Sequence, residues 1–168
     1  GFINGLAGFG LSLFALGWWL QVMPPVQAVG LVLLMSAVNG LQGGYLVRKS
    51  INWRRQFRFL IPAILGIPVG ISLLDDIDAV SLKIGVAAIL IGYGGFFAFR
   101  RNLPKITTPA HLVEIVIGGI SGVLGALAGL AGSLPTMWCA LRPWSKTEQR
   151  ALLQPFNATV LGLSAILL

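Results

Sequence analysis

No charged side chain occurs between Gly1 and Val47, and a run that long without charge belongs in a bilayer. A membrane span needs about 20 apolar residues, so the run holds one full helix and part of another, with Pro24 and Pro25 as the turn between them. The composition agrees: 56% of the residues are hydrophobic and 10% charged, far below the quarter or so of charged residues in a soluble domain. The sequence is therefore that of an all-α integral membrane protein, a polytopic helix bundle.

Charge sets the topology. The helix over 26–47 ends at Arg48 and Lys49, and with Arg54, Arg55 and Arg58 the loop 48–58 carries five positive charges and no negative one. The excess of Lys and Arg on cytoplasmic loops places it inside. A short span over 60–74, with Pro62 and Pro68, emerges outside at Asp75, Asp76 and Asp78. The span 80–99 then returns, Lys83 snorkelling near the outer edge, and Arg100, Arg101 and Lys105 put the loop 100–105 in the cytoplasm. Thr108 and Pro109 read as an N-cap followed by proline at the first helical position, so the next helix begins there, with His111 and Glu114 in its first turns.

From Ile115 to Leu141 charge is again absent, and Arg142, Lys146, Glu148 and Arg150 follow. A single crossing would leave this basic loop outside, against the charge rule. Two short helices joined near 128–132 would return it to the cytoplasm. The residues allow this. The stretch 118–135 is apolar but rich in glycine, with two serines and a closing proline, a poor composition for one unbroken helix. Gly118, Gly122 and Ala126 at i, i+4 spacing suit close helix packing, whereas 128–135 suits a break whose freed N–H and C=O groups can hold a polar solute.

The stretch has a counterpart. Sliding the chain by 121 residues lays Leu6, Ala7, Gly8, Ser12 and Leu13 on Leu127, Ala128, Gly129, Ser133 and Leu134 without a gap, five identities in eight positions. Leu20, Leu31 and Ala37 fall on Leu141, Leu152 and Ala158. The corresponding turns, 23–27 without charge and 142–150 with it, then face opposite sides of the membrane, which makes the two halves inverted repeats with discontinuous Gly-rich helices. The first repeat covers about 1–104 and the second starts over 105–168, within one transmembrane domain. Its ends, uncharged at the start and inside an apolar run at the close, read as a fragment cut within a helix at each side.

Several functions are excluded. Cys139 and His111 are the only residues of their kinds, too few for a disulfide framework or a usual zinc or haem site, so no cofactor or metal is expected. The basic residues lie in short loops between spans and form no polar face for nucleic acid. With no His, Cys and acid cluster inside the apolar runs, the sequence argues against an enzyme.

The blocks Gly8-Phe9-Gly10-Leu11-Ser12, Pro24-Pro25-Val26-Gln27-Ala28-Val29-Gly30, Trp53-Arg54, Ile61-Pro62 with Gly66 and Gly70, Gly129-Leu130-Ala131-Gly132-Ser133-Leu134-Pro135 and Arg150 together resemble the sulfite exporter TauE/SafE family of bacterial membrane proteins. Two departures stand out: Gly8-Phe9-Gly10-Leu11-Ser12 where the family often has G-x-G-G-G, and Gly132-Ser133-Leu134-Pro135 where it has a G-G-P-P-like run. The resemblance implies a two-repeat transporter of about eight spans in the cell (inner) membrane, exporting or exchanging small anions such as sulfite and organosulfonates; a proton or a counter-anion is the expected coupling partner, and the residues do not say which.

For such a substrate the candidate site is the meeting of the two breaks. Gly8, Gly10, Gly129 and Gly132 let backbone N–H groups at helix N-termini approach an oxyanion closely, and Ser12 and Ser133 add hydroxyl donors. For either serine, a bond back to its own helix carbonyl is an equal alternative. Asn39 and Asn157, each about one helix after its repeat's motif, are further ligand candidates, although amides also join membrane helices. Glu114 reads as dipole stabilisation more than as a proton carrier, and Trp18, Trp19, Trp138 and Trp144 as interfacial belts. A passive anion channel with paired half-helices is the rival reading, and a purely structural subunit a third.

Overall fold

The computed structural model describes residues 10–47, 50–99, 105–108 and 110–168. They form α1 (Gly10–Trp19), α2 (Pro25–Val47), α3 (Trp53–Asp76), α4 (Ala79–Phe99), α5 (His111–Ala128), α6 (Ser133–Leu141) and α7 (Lys146–Leu167), with no strand among the described residues. By length and composition α3, α4 and α5 can each cross a membrane.

Local chemistry sets the helix starts. The Asn52 side chain accepts the Arg55 N–H at 3.2 Å, an N-cap that starts α3 at Trp53. Arg54, Arg55 and Arg58 therefore sit in the first turns of a helix, not in the loop that their charge suggested. Asp78 caps α4, its carboxylate accepting the N–H groups of Val80 and Ser81 at 3.0 and 3.2 Å and the Ser81 hydroxyl at 2.6 Å. The Ser81 hydroxyl and N–H hold Asp78 below the usual carboxylate range. At α5 the cap expected at Thr108 is not used: the helix begins at His111, with Ala110 in the cap position and no side-chain cap. The Thr108 carbonyl instead accepts from Arg142. Ser145 and Glu148 close a reciprocal capping box at the start of α7.

Two helix pairs carry the packing. α3 and α5 run parallel at backbone contact: a Cβ added at Gly118 or Gly122 would strike the carbonyl of Phe59 or Ala63, one at Gly66 the carbonyl of Gly119, and one at Gly70 would lie 2.6 Å from the Val123 oxygen. The i, i+4 row Gly118, Gly122, Ala126 is thus the seam of this pair, as small residues at close membrane crossings require. α2 and α7 run antiparallel. A Cβ at Gly40 would meet Ala158 at 3.0 Å, one at Gly162 would meet the Ala37 Cβ at 3.9 Å, and one at Gly30 would meet Leu168 at 3.4 Å. Phe59 and Phe156, ring centroids 6.3 Å apart and edge to face, join the pairs in a core that includes Leu33, Ile67, Leu130 and Val160.

α4 stands apart. Leu82 is its one buried residue, and its Gly85, Gly92, Gly94 and Gly95 face open space.

Candidate functional site

α5 stops at Ala128 because Gly129 turns left-handed, φ 68° and ψ 18°, the only positive φ among the described residues. Glycine takes that conformation without the penalty a side chain incurs. The Gly129 and Leu130 N–H groups turn back to the carbonyls of Gly125 and Leu124 at 2.8 and 3.2 Å. Four residues later α6 starts. The Ser133 N–H and hydroxyl both donate to the Leu130 carbonyl, at 3.1 and 2.8 Å, and Thr136 bonds the Gly132 carbonyl through its N–H and hydroxyl at 3.0 and 2.6 Å. Pro135 falls in the first turn of α6, where a missing N–H costs no helical bond.

The break is buried from 129 to 133. It lies against α7: a Cβ on Gly132 would sit 2.7 Å from the Asn157 Nδ2, and one on Gly125 3.0 Å from Val160. Two candidates far apart in sequence, Gly132 and Asn157, are thus neighbours, with Ser133 next in the chain and Gly129 at the other end of the same turn. Of the remaining candidates, Gly8 lies outside the described residues. Gly10 and Ser12 fall in α1 and Asn39 in α2, but their surroundings are outside the description too.

One residue the sequence did not single out belongs to this level of the bundle. The buried Gln56 of α3 donates its amide nitrogen to the Leu152 carbonyl at 3.2 Å and accepts the Phe156 N–H at 3.0 Å. In a regular helix those two α7 groups also bond to each other, and the neighbouring Pro155 lacks the N–H that the Ala151 carbonyl would accept. Gln56 thus ties α3 to α7 one residue before Asn157. Its neighbours Arg54, Arg55 and Arg58 made it read as loop, and only the Asn52 cap could have revealed the helix.

The basic segments gather at one end. Arg55 lies 4.0 Å from Glu148 and 4.0 Å over the Trp144 ring. Arg58 reaches His111 Nδ1 at 2.8 Å and the buried Glu114 at 3.5 Å. Arg142 donates to the carbonyls of Ile106, at 3.1 Å, and Thr108. The loop 142–150 therefore joins 50–58 and 105–111, because α6 leads back toward the start of α5. Its nine residues return about 14 Å against about 27 Å for α5; extended chain after Leu141 and the bond from the Ile106 N–H to the Leu141 carbonyl, 2.8 Å, complete the path. Trp18 and Trp19 are exposed, as a belt requires, but Trp138 is buried beneath Arg142. The Ser145 N–H and hydroxyl, then Arg55, hold the Glu148 carboxyl below the usual range.

A family model described as Sulfite exporter TauE/SafE matches residues 1–168, the whole chain. The chain belongs to the TauE/SafE family. Comparison with curated proteins and with solved structures gives no match. TauE/SafE membership makes it a membrane transporter of sulfite or related anions, working in a lipid bilayer, in a family of transporters and not of enzymes.

Proposed function

We propose that this TauE/SafE chain is a carrier for small sulfur oxyanions, built from two inverted repeats, with the substrate held where the break at 129–132 and α7 meet the corresponding part of α1. The observation that carries this reading is the buried break set against Asn157: the start of α6, glycines whose backbone carries no side chain, and an amide, brought together inside a membrane bundle.

Element positions support the repeat. The 121-residue offset carries Pro25, the start of α2, onto Lys146, the start of α7, and carries the end of α1 to within one residue of the end of α6. The antiparallel contact of α2 with α7 has the same reciprocity. Ala37 and Ala158 are equivalent by that offset, and each faces a glycine of the other helix, Gly162 and Gly40. A two-fold axis in the membrane plane generates such a contact. Because α2 runs toward the basic end, the turn at Pro24 lies at the opposite end from Ser145. By charge the basic end faces the cytoplasm of the cell membrane.

The deciding experiment is flux of labelled sulfite into liposomes carrying the full-length protein, with and without proton and counter-anion gradients. A carrier gives saturable uptake that responds to one of those gradients. Unsaturated flux would establish the channel reading, and no flux would overturn transport altogether.

A further inference from the structure

Arg142 is only 6% exposed, and no carboxylate lies within ion-pair distance of it among the described residues. A buried cation without a counter-charge is costly unless its donors are used. Among the described residues one nitrogen is: Nη1 donates to the carbonyls of Ile106 and Thr108. The guanidinium lies 4.4 Å from the centroid of the Trp138 ring and 5.9 Å from that of Trp144, which favours positive charge over the indole faces. Nε is buried with no hydrogen-bond partner among the described residues.

These bonds fix the guanidinium plane and leave one edge over. The Nε edge is the side that meets an oxyanion with two parallel N–H···O bonds. Trp144 also carries Arg55 on its ring, at 4.0 Å, so two cations flank one indole. The only carboxylate in the group, Glu148, sits 4.0 Å from Arg55 and is occupied by its capping bonds to Ser145. The cluster is thus a preorganised group of cations at the basic end, where the chain coming from the break leaves α6.

We infer that the Nε edge of Arg142 is a second recognition point for a tetrahedral or pyramidal oxyanion, engaged as the anion passes between the break and the basic end. The inference rests on the anion-transport reading above. Lysine keeps the charge but not the two-pronged edge, so it is the informative substitution.

The test titrates sodium sulfite into the purified full-length protein at constant ionic strength, with sodium chloride as the control, and follows tryptophan fluorescence and uptake in parallel. An anion on Arg142 perturbs the two indoles that hold it, so wild type gives a saturable change with sulfite. Trp138→Phe and Trp144→Phe remove most of it, whereas Trp18→Phe, Trp19→Phe and Trp53→Phe do not. Arg142→Lys weakens sulfite binding about tenfold or more, and Arg142→Gln abolishes the response. The site is overturned by unchanged sulfite affinity in Arg142→Lys and Arg142→Gln, which would make Arg142 only a clamp on 106–108. It is equally overturned by a wild-type response that survives in Trp138→Phe,Trp144→Phe, a readout needing no change at Arg142. Saturable binding without uptake would keep this site and discard transport; uptake with Arg142-independent binding would do the reverse.

Discussion

A glycine's contribution here depends on what stands where its side chain would be. At Gly122 that is the Ala63 carbonyl, and at Gly118 the Phe59 carbonyl; neither helix backbone can yield locally, so a side chain forces the pair apart. Gly122→Val is expected to lose about 3 kcal/mol or more, the upper part of the range for overpacking. Gly92→Val in α4, where nothing lies nearby, should leave the melting temperature in detergent unchanged. Equal melting of the two variants would refute the seam. Gly132 is a third case: its φ of −80° suits any residue, and what a Cβ meets is the Asn157 amide, the movable end of a side chain. Gly132→Ala should therefore fold normally yet bind sulfite about tenfold less tightly, a shift of about 1.4 kcal/mol, and wild-type uptake would show that the glycine is not at the site. Sequence marks these glycines as a group, and it separates seam from break through the helical spacing of Gly118, Gly122 and Ala126 and through the positive charge that follows Leu141.

Among the elements, α7 is tied to α3 through its backbone. Gln56 bridges the Leu152 carbonyl and the Phe156 N–H beside Pro155, so Gln56→Leu removes both bonds between the helices. We expect a loss of about 1 to 3 kcal/mol, read as a lower melting temperature in detergent, and wild-type melting of Gln56→Leu would show that the bridge is unimportant. The start of α7 responds to acid. The Glu148 carboxyl titrates lower in the folded chain than in the unfolded one, so its cap is fully present above the ordinary carboxylate pKa and is lost as pH falls through the depressed folded value. Protection against hydrogen exchange in the first turn of α7, relative to the intrinsic rate at each pH, should fall as pH drops below the ordinary carboxylate range, and should already be low at about pH 6 in Glu148→Ala. Helix existence was legible from hydropathy runs and charge gaps. Starts were less so: α3 begins seven residues before Leu60 because a single Asn52 hydrogen bond outweighs the presence of three arginines, and α5 begins late because Arg142, distant in sequence, takes the Thr108 carbonyl.

For the whole molecule the geometry makes a directional claim. α2 and α7 are antiparallel, so Gln27 and Ser145 lie at opposite ends, while Asn52 shares the Ser145 end through the Arg55–Glu148 and Arg55–Trp144 contacts. In a Cys139-free background, single cysteines at Asn52 and Ser145 should react with an impermeant thiol reagent from one side, and one at Gln27 from the other. Labelling of Gln27 and Ser145 from the same face would end the inverted-repeat reading. Of the candidate site, the half made by Gly129, Gly132, Ser133 and Asn157 could be placed on neighbouring elements. That Ser133 donates its proton to the Leu130 carbonyl could not be read in advance, since any helical serine has that option.

The seam between α3 and α5 also bears on how the protein responds to heat. When the two helices come together they exchange acyl chains for each other's backbone, with Cα–H groups of glycine against carbonyl oxygens, and little water leaves an apolar surface. The large heat-capacity change that bends the stability curve of a water-soluble domain comes from such hydration. This pair is therefore held by an enthalpy that varies little with temperature, and cooling, which weakens a water-driven core, leaves its grip unchanged.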